Sequence, residues 1–138
     1  ARKVKDVCEF LDEIGFSSKL GAIPERVAYD DACHLLHGQQ VSSQPRELLS
    51  RIPSLSLLGV PNSDRCCGSA GIYNLLQPDM SEELLVRKLE EILSTKPDRI
   101  VTANPGCTIL GTSSMCGSSY YHTIGKNSAV RHGRSSKH

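Results

Sequence analysis

The sequence predicts an α/β fold: a small parallel sheet of about three to four strands flanked by helices, with a disordered C-terminal tail. Three observations lead there. Apolar strand-like stretches at residues 26–29, 55–60 and 99–103 alternate with helical patterns, which implies crossovers and parallel pairing. The stretches are apolar along their length, as strands covered on both faces are. Each is followed within a few residues by cysteine, namely Cys33, the pair Cys66-Cys67, and Cys107.

The elements follow in order. Val4, Val7, Cys8, Leu11 and Ile14 repeat at helical spacing, and Gly15 suits a helix stop. Residues 26–29 form the first strand after Pro24; Asp30 and Asp31 end it, and Cys33-His34-Leu35-Leu36 opens a new turn or helix. Pro45 fits a first helical position for a helix over 46–50 that Pro53 closes. The second strand covers 55–60, and Pro61-Asn62-Ser63-Asp64 loops to the cysteine pair. Asp79 and Glu82 read as a capping box ahead of Leu84, Leu85, Leu89, Ile92 and Leu93, with Lys96-Pro97 as the stop. Residues 99–103 form the third strand, and Asn104-Pro105-Gly106-Cys107 follows it. From 111 to 138 the chain is rich in Ser, Gly and His without a sustained period, so a disordered or aberrant tail is expected there, after a domain over 1–110.

Composition narrows the function. Aromatics make up 4% of the 138 residues, so the core is expected to be aliphatic. The net charge is +1 and there is no long basic run, which argues against a nucleic-acid partner. No apolar stretch approaches the roughly 20 residues of a membrane span. The first residues lack a signal-peptide pattern and an initiating Met, so the chain reads as a piece of something longer. Six cysteines without a secretory signal suggest a reducing compartment, where clustered thiols serve metal or redox chemistry.

In a parallel sheet the strand C-termini share one edge, and ligands bind in the crevice there. Cys33, Cys66, Cys67 and Cys107 are therefore expected to converge. Adjacent cysteines pair poorly with each other, so Cys66 and Cys67 point toward a third party. The small residues Gly68, Ser69, Ala70 and Gly71 let backbone approach a bulky centre. Four thiolates suit an iron–sulfur cluster or a four-cysteine zinc site. Zinc usually takes C-x₂₋₄-C knuckles and thioredoxin-like chemistry takes C-x-x-C, and neither spacing occurs around these positions. Inert buried thiols are the remaining reading.

Three segments carry a family resemblance: YDDACHLLHGQ at 29–39, DRCCGSAGIYNLLQPDMSEELL at 64–85 and VTANPGC at 101–107. They resemble the C-terminal cysteine-rich "CCG" domain of the glycolate oxidase (glycolate dehydrogenase) iron–sulfur subunit. The wider family includes a heterodisulfide reductase subunit and lactate-utilisation iron–sulfur proteins. In that pattern Cys33, Cys66-Cys67-Gly68 and Cys107 fall in register. Asn104 stands where the wider family has the first cysteine of a last C-x-x-C, and N-P-G-C is similar to the glycolate oxidase branch.

The resemblance implies an iron–sulfur electron-transfer module with a [4Fe-4S] cluster on Cys33, Cys66, Cys67 and Cys107, beside Gly68 and Asn104. It implies flavin-containing glycolate oxidase subunits as partners, a quinone-linked acceptor, and a cytoplasmic setting with a place at the inner membrane through the complex. Substrate chemistry is then expected in a partner subunit, since no residue here reads as a hydride acceptor or a hydroxy-acid clamp. The rival readings are a non-redox zinc module, built on the same four cysteines and used for docking, and an inactive fragment.

The other polar residues read more plainly. Cys8 is a core thiol and Cys116 a free thiol of the tail, and His132 and His138 are too scattered for a metal site. His34 and His37 flank the first cysteine, chiefly as polar residues of a helix start. Tyr73 and Asn74 could line the crevice, but packing is the simpler role for the tyrosine. Glu82, Glu83, Arg87, Lys88, Glu90 and Glu91 read as one solvated face with i, i+4 pairs.

Overall fold

The computed structural model describes residues 4–16, 19–114 and 121–123. Four parallel strands form one sheet in the order β2-β1-β3-β4: β1 Arg26–Asp30, β2 Ser56–Leu58, β3 Arg99–Thr102 and β4 Tyr121–Thr123. The helices are α1 Val7–Glu13, α2 Ser43–Ser50, α3 Tyr73–Leu76, α4 Pro78–Ser94 and α5 Pro105–Ser114, with a π-helical turn at His34–Gln39. The small parallel sheet flanked by helices is the architecture expected.

Strand alternation divides the core into two layers. Val27, Tyr29 and Val101 pack with Leu49 of α2 and with Ile52, Leu55 and Leu57. Ala28 and Ile100 face the other way, onto Leu85, Leu89 and Ile92 of α4 and onto Cys67 and Cys107. Asp30 shares the Ala28 face by the same period of two. Beyond β1, Ala32, Leu35 and Val41 form a small buried cluster with Ala103, which seats the turn after Cys33. At the opposite edge Arg26 clasps Asp98 through Nε and Nη2, 3.2 and 3.0 Å, and Arg99 clasps Glu25 at 2.6 and 2.8 Å.

Several boundaries differ from the sequence reading. α4 starts with Pro78 at its first position and no side-chain cap at Gln77, so the Asp79–Glu82 capping box does not form. Proline supplies the helical φ, and its missing N–H is one of those that a helix start leaves unbonded. α2 begins at Ser43, ahead of Pro45. The second strand is confined to Ser56–Leu58. α1 is capped by Asp6, whose Oδ1 accepts from the Cys8 N–H at 2.8 Å, and Gly15 takes φ +64° just beyond its end. Cys8 is fully buried as expected, but Val4, Val7 and Ile14 are exposed, so the apolar stripe of α1 covers little.

Two elements reach into the stretch that the sequence assigns to the tail. α5, a helix absent from the sequence reading, runs on to Ser114, and β4 pairs in register with β3, Ile100 beside Tyr121 and Thr102 beside Thr123. Cys116, His132 and His138 lie outside the described residues.

Lys88 also departs from the sequence reading. It belongs to no solvated face: it is 2% exposed, on the α4 stripe of Ser81, Leu85 and Ile92. Spacings of four, three and four residues put those positions on one helix side, and the side chain finds an acidic partner there.

Candidate metal centre

The strand ends place the four cysteines. Cys33 follows β1, Cys66 and Cys67 follow the loop after β2, and Cys107 sits in the first turn of α5 after β3. All four line one cavity of about 530 Å³ with His34, Ser69, Ala70, Gly71, Ala103, Asn104 and Pro105. The predicted convergence is thus observed.

The thiols stand as two close pairs. Cys33 Sγ lies 4.0 Å from Cys66 Sγ, and Cys67 Sγ lies 3.1 Å from Cys107 Sγ. The second pair is buried and forms part of the core layer against α4. The bond divides the thiols: the hydrogen bond shared with Cys107 draws Cys67 below its ordinary value, against the opposing effect of burial and with help from the Ser69 N–H. The hydrogen bond with Cys67 and then burial push Cys107 up. Burial and then the neighbouring Cys66 push Cys33 up. Burial pushes Cys8, away from the cavity, up to about 12.

Local geometry explains the small residues. Gly68 has φ +83°, and a Cβ there would lie 2.6 Å from Ser81 Oγ and 2.7 Å from Ser81 O. The Gly68 N–H donates to Cys66 Sγ at 3.3 Å, and Ser81 Oγ donates to the Gly68 carbonyl at 3.1 Å. The glycine therefore bolts the cysteine loop to α4 from behind the cavity wall.

Asn104 has two attachments. Its Oδ1 accepts from the Gly106 N–H at 2.7 Å, capping α5 with Pro105 in the first helical position. That bond orients the amide, so Nδ2 donates to His34 Nδ1 at 3.0 Å. Asn104 is both a helix cap and a wall of the cavity, and the two readings of this position are compatible. His34 also faces the cavity, whereas His37 turns away and donates from Nε2 to the Asp64 carbonyl at 3.4 Å. Tyr73 is half-buried and, like Asn74, is not among the residues that line the cavity.

A polar network that the sequence reading missed braces the loops. The Asp31 carboxylate accepts from both Arg46 Nη atoms, 2.7 and 2.6 Å, and from Ser63 Oγ at 2.6 Å. Arg46 also lies 5.0 Å over the Tyr29 ring and donates to the Ser42 carbonyl. Burial opposes the charge on Asp31, but its hydrogen bonds prevail and hold the carboxyl below its ordinary range. Behind it, Lys88 Nζ lies 2.6 Å from Asp30 Oδ1, with the side chains 3% and 1% exposed. Burial works against the Lys88 ammonium, but the attraction of Asp30 outweighs it and raises the lysine. Burial pushes the Asp30 carboxyl up while Lys88 pulls it back. The available signal was the consecutive Asp30-Asp31 at the end of a strand, where successive side chains take opposite faces.

An all-thiol donor set suits two kinds of metal group, an iron–sulfur cluster and a four-cysteine zinc site. Tetrahedral zinc with Zn–S near 2.3 Å needs four sulfurs mutually about 3.8 Å apart. Among the described residues no three Cys, His, Asp or Glu side chains gather closely enough to hold a single ion. The four thiols line one cavity of about 530 Å³, and all-thiol donors are those of iron–sulfur clusters.

The CCG cysteine-rich domain model matches residues 27–110, which span Cys33 to Cys107. The chain belongs to the CCG cysteine-rich domain family. Over 110 residues it is 39% identical to a probable glycolate oxidase iron-sulfur subunit of Bacillus subtilis, covering 78% of this chain and 25% of that protein. Over 102 residues it is 40% identical to the glycolate oxidase iron-sulfur subunit of Escherichia coli, covering 74% and 25%. It is 36% identical over 106 residues to one subunit of the CoM/CoB fumarate reductase of Methanothermobacter marburgensis, covering 77% and 22%. The chain therefore spans about a quarter of the length of these relatives. No solved structure matches it.

Proposed function

We propose that this domain holds a [4Fe-4S] cluster on Cys33, Cys66, Cys67 and Cys107 and serves as an iron–sulfur electron-transfer module of a glycolate-oxidising complex. The observation that carries the reading is the convergence of all four thiols on one cavity at the C-terminal edge of the sheet. Two relatives named as glycolate oxidase iron-sulfur subunits support the choice of complex. Bound there, a cluster supplies one-electron redox chemistry. The protein's own part is to present four thiolates, to offer the Gly68 N–H to Cys66 sulfur, and to hold the loops rigidly through Asp31, Arg46 and Ser81.

On this reading a flavin-containing subunit oxidises glycolate and a quinone-linked acceptor takes the electrons, with the complex in the cytoplasm at the inner membrane. Among the described residues no helix is long and apolar enough to cross a membrane, which is compatible with a peripheral place through partner subunits. On this reading the cysteine-rich unit covers 1–110, and α5 and β4 carry its fold past that point, to Thr123.

Anaerobic reconstitution with iron and sulfide tests the proposal. Broad absorbance in the blue visible region, bleached by dithionite, is the expected result. A colourless protein that binds zinc and takes up no iron would contradict it.

A further inference from the structure

We propose that Lys88 is a positioning residue for the thiol site, a buried latch that ties the Cys33 and Cys66 loops to α4. This inference rests on the reading of the cavity as a cluster site. Lys88 is 2% exposed, and its Nζ is ringed by oxygens. One is Asp30 Oδ1, at 2.6 Å. The others are main-chain carbonyls: Asp31 O at 3.4 Å, Ser63 O at 3.2 Å, and Arg65 O.

The carbonyls identify the role. Asp31 lies two residues before Cys33, and the Arg65 carbonyl belongs to the peptide that carries the Cys66 nitrogen. Ser63 stands earlier in the same loop. One ammonium, with three hydrogens to place, therefore holds both approaches to the cavity from beneath. A counter-ion to Asp30 alone would need only Oδ1. Removing two charges from water is costly, and apolar side chains of similar size often serve stability as well or better. What apolar side chains cannot supply is the set of bonds to the loops. Ser81, two turns earlier on the same helix face, makes a matching tie to Gly68, so α4 grips the cysteine loop at two points.

The test separates this role from simple charge balance. Lys88→Met alone leaves Asp30 buried and unpaired, so it loses stability on any account. Asp30→Asn/Lys88→Met removes that penalty. In the full chain the double variant is expected to recover most of the urea midpoint. It should nevertheless hold iron about tenfold more weakly or worse, the scale seen when groups that orient metal ligands are lost. In metal-free protein its amides over 63–68 should exchange about tenfold faster, as expected for a locally loosened loop. Asp30→Asn/Lys88→Gln, which keeps amide donors, should fall between that variant and wild type.

Wild-type iron retention and wild-type exchange in the Lys88→Met double variant would overturn the latch, as would identical behaviour of the two double variants. Loss of the whole fold in both doubles would overturn it too, because a latch loosens loops on a standing domain. If the wild-type chain itself takes up no cluster, the proposed function fails, while the exchange measurement on metal-free protein still decides the latch.

Discussion

Replacing Gly68 by alanine probes the contact that seats the cysteine loop. The added Cβ would meet Ser81 Oγ at 2.6 Å, Ser81 O at 2.7 Å and Ser81 Cα at 2.9 Å. Two of these atoms are backbone of α4, so no side-chain rotation clears them. The φ of +83° adds the cost of a left-handed conformation in an L-residue, about 1–2 kcal/mol. Overpacking contributes about 1–3 kcal/mol, so the loss comes to about 2–5 kcal/mol. With a urea slope of about 2 kcal/mol/M, the unfolding midpoint should fall by about 1–2.5 M. Iron retention should fall with it, since the same glycine donates to Cys66 Sγ. Adding Ser81→Gly should recover only a small part, because the backbone contacts remain. A Gly68→Ala protein within about 0.5 kcal/mol of wild type, the range of neutral surface changes, would refute the argument.

Other outcomes follow from the same geometry. Cys66→Ser and Cys67→Ser should each abolish cluster assembly, whereas Cys8→Ser, away from the cavity, should retain iron while losing stability; iron and sulfide assays on the three variants check this. Asn104→Ala should cost about 0.5–2 kcal/mol through the lost cap of α5, and Asn104→Ser should recover most of it in chemical denaturation. Asn104→Cys should therefore reveal itself first as a stability loss, and redox titration will show whether a fifth thiolate also moves the midpoint. Arg26 holds the Asp98 carboxyl below its ordinary value through side-chain and backbone hydrogen bonds. Asp98 thus adds stability above the ordinary carboxylate range, which is lost as pH falls below about 4. Asp98→Asn should flatten that acid limb in urea midpoints measured across pH.

The thiol edge was legible because it depends on topology alone: strands that alternate with helices must be parallel, and their ends must share an edge. Cys33, Cys66, Cys67 and Cys107 could be brought together on that argument without any side-chain detail. Lys88 was not legible, because a lysine among glutamates on a long helix reads as solvated. Its burial depends on the face that Asp30 takes in β1, a three-dimensional fact. The period-two alternation of Val27, Ala28, Tyr29 and Asp30, laid beside the Ser81, Leu85, Lys88 and Ile92 stripe, held the clue. β4 escaped notice for another reason: a three-residue strand is specified by its pairing with Ile100, Val101 and Thr102, which leaves no local period. The exposed stripe of α1 shows the converse, a helical repeat that finds little to cover among the described residues.

The central claim is that four cysteines from three loops jointly hold one polynuclear group. Iron and acid-labile sulfide, counted per chain after anaerobic reconstitution and followed by EPR of the dithionite-reduced protein, test it most directly. About four iron and four sulfide per chain, as a [4Fe-4S] cluster requires, with a signal that disappears in Cys107→Ser, is the predicted result. One zinc per chain, or iron uptake indifferent to the loss of Cys107, would contradict it.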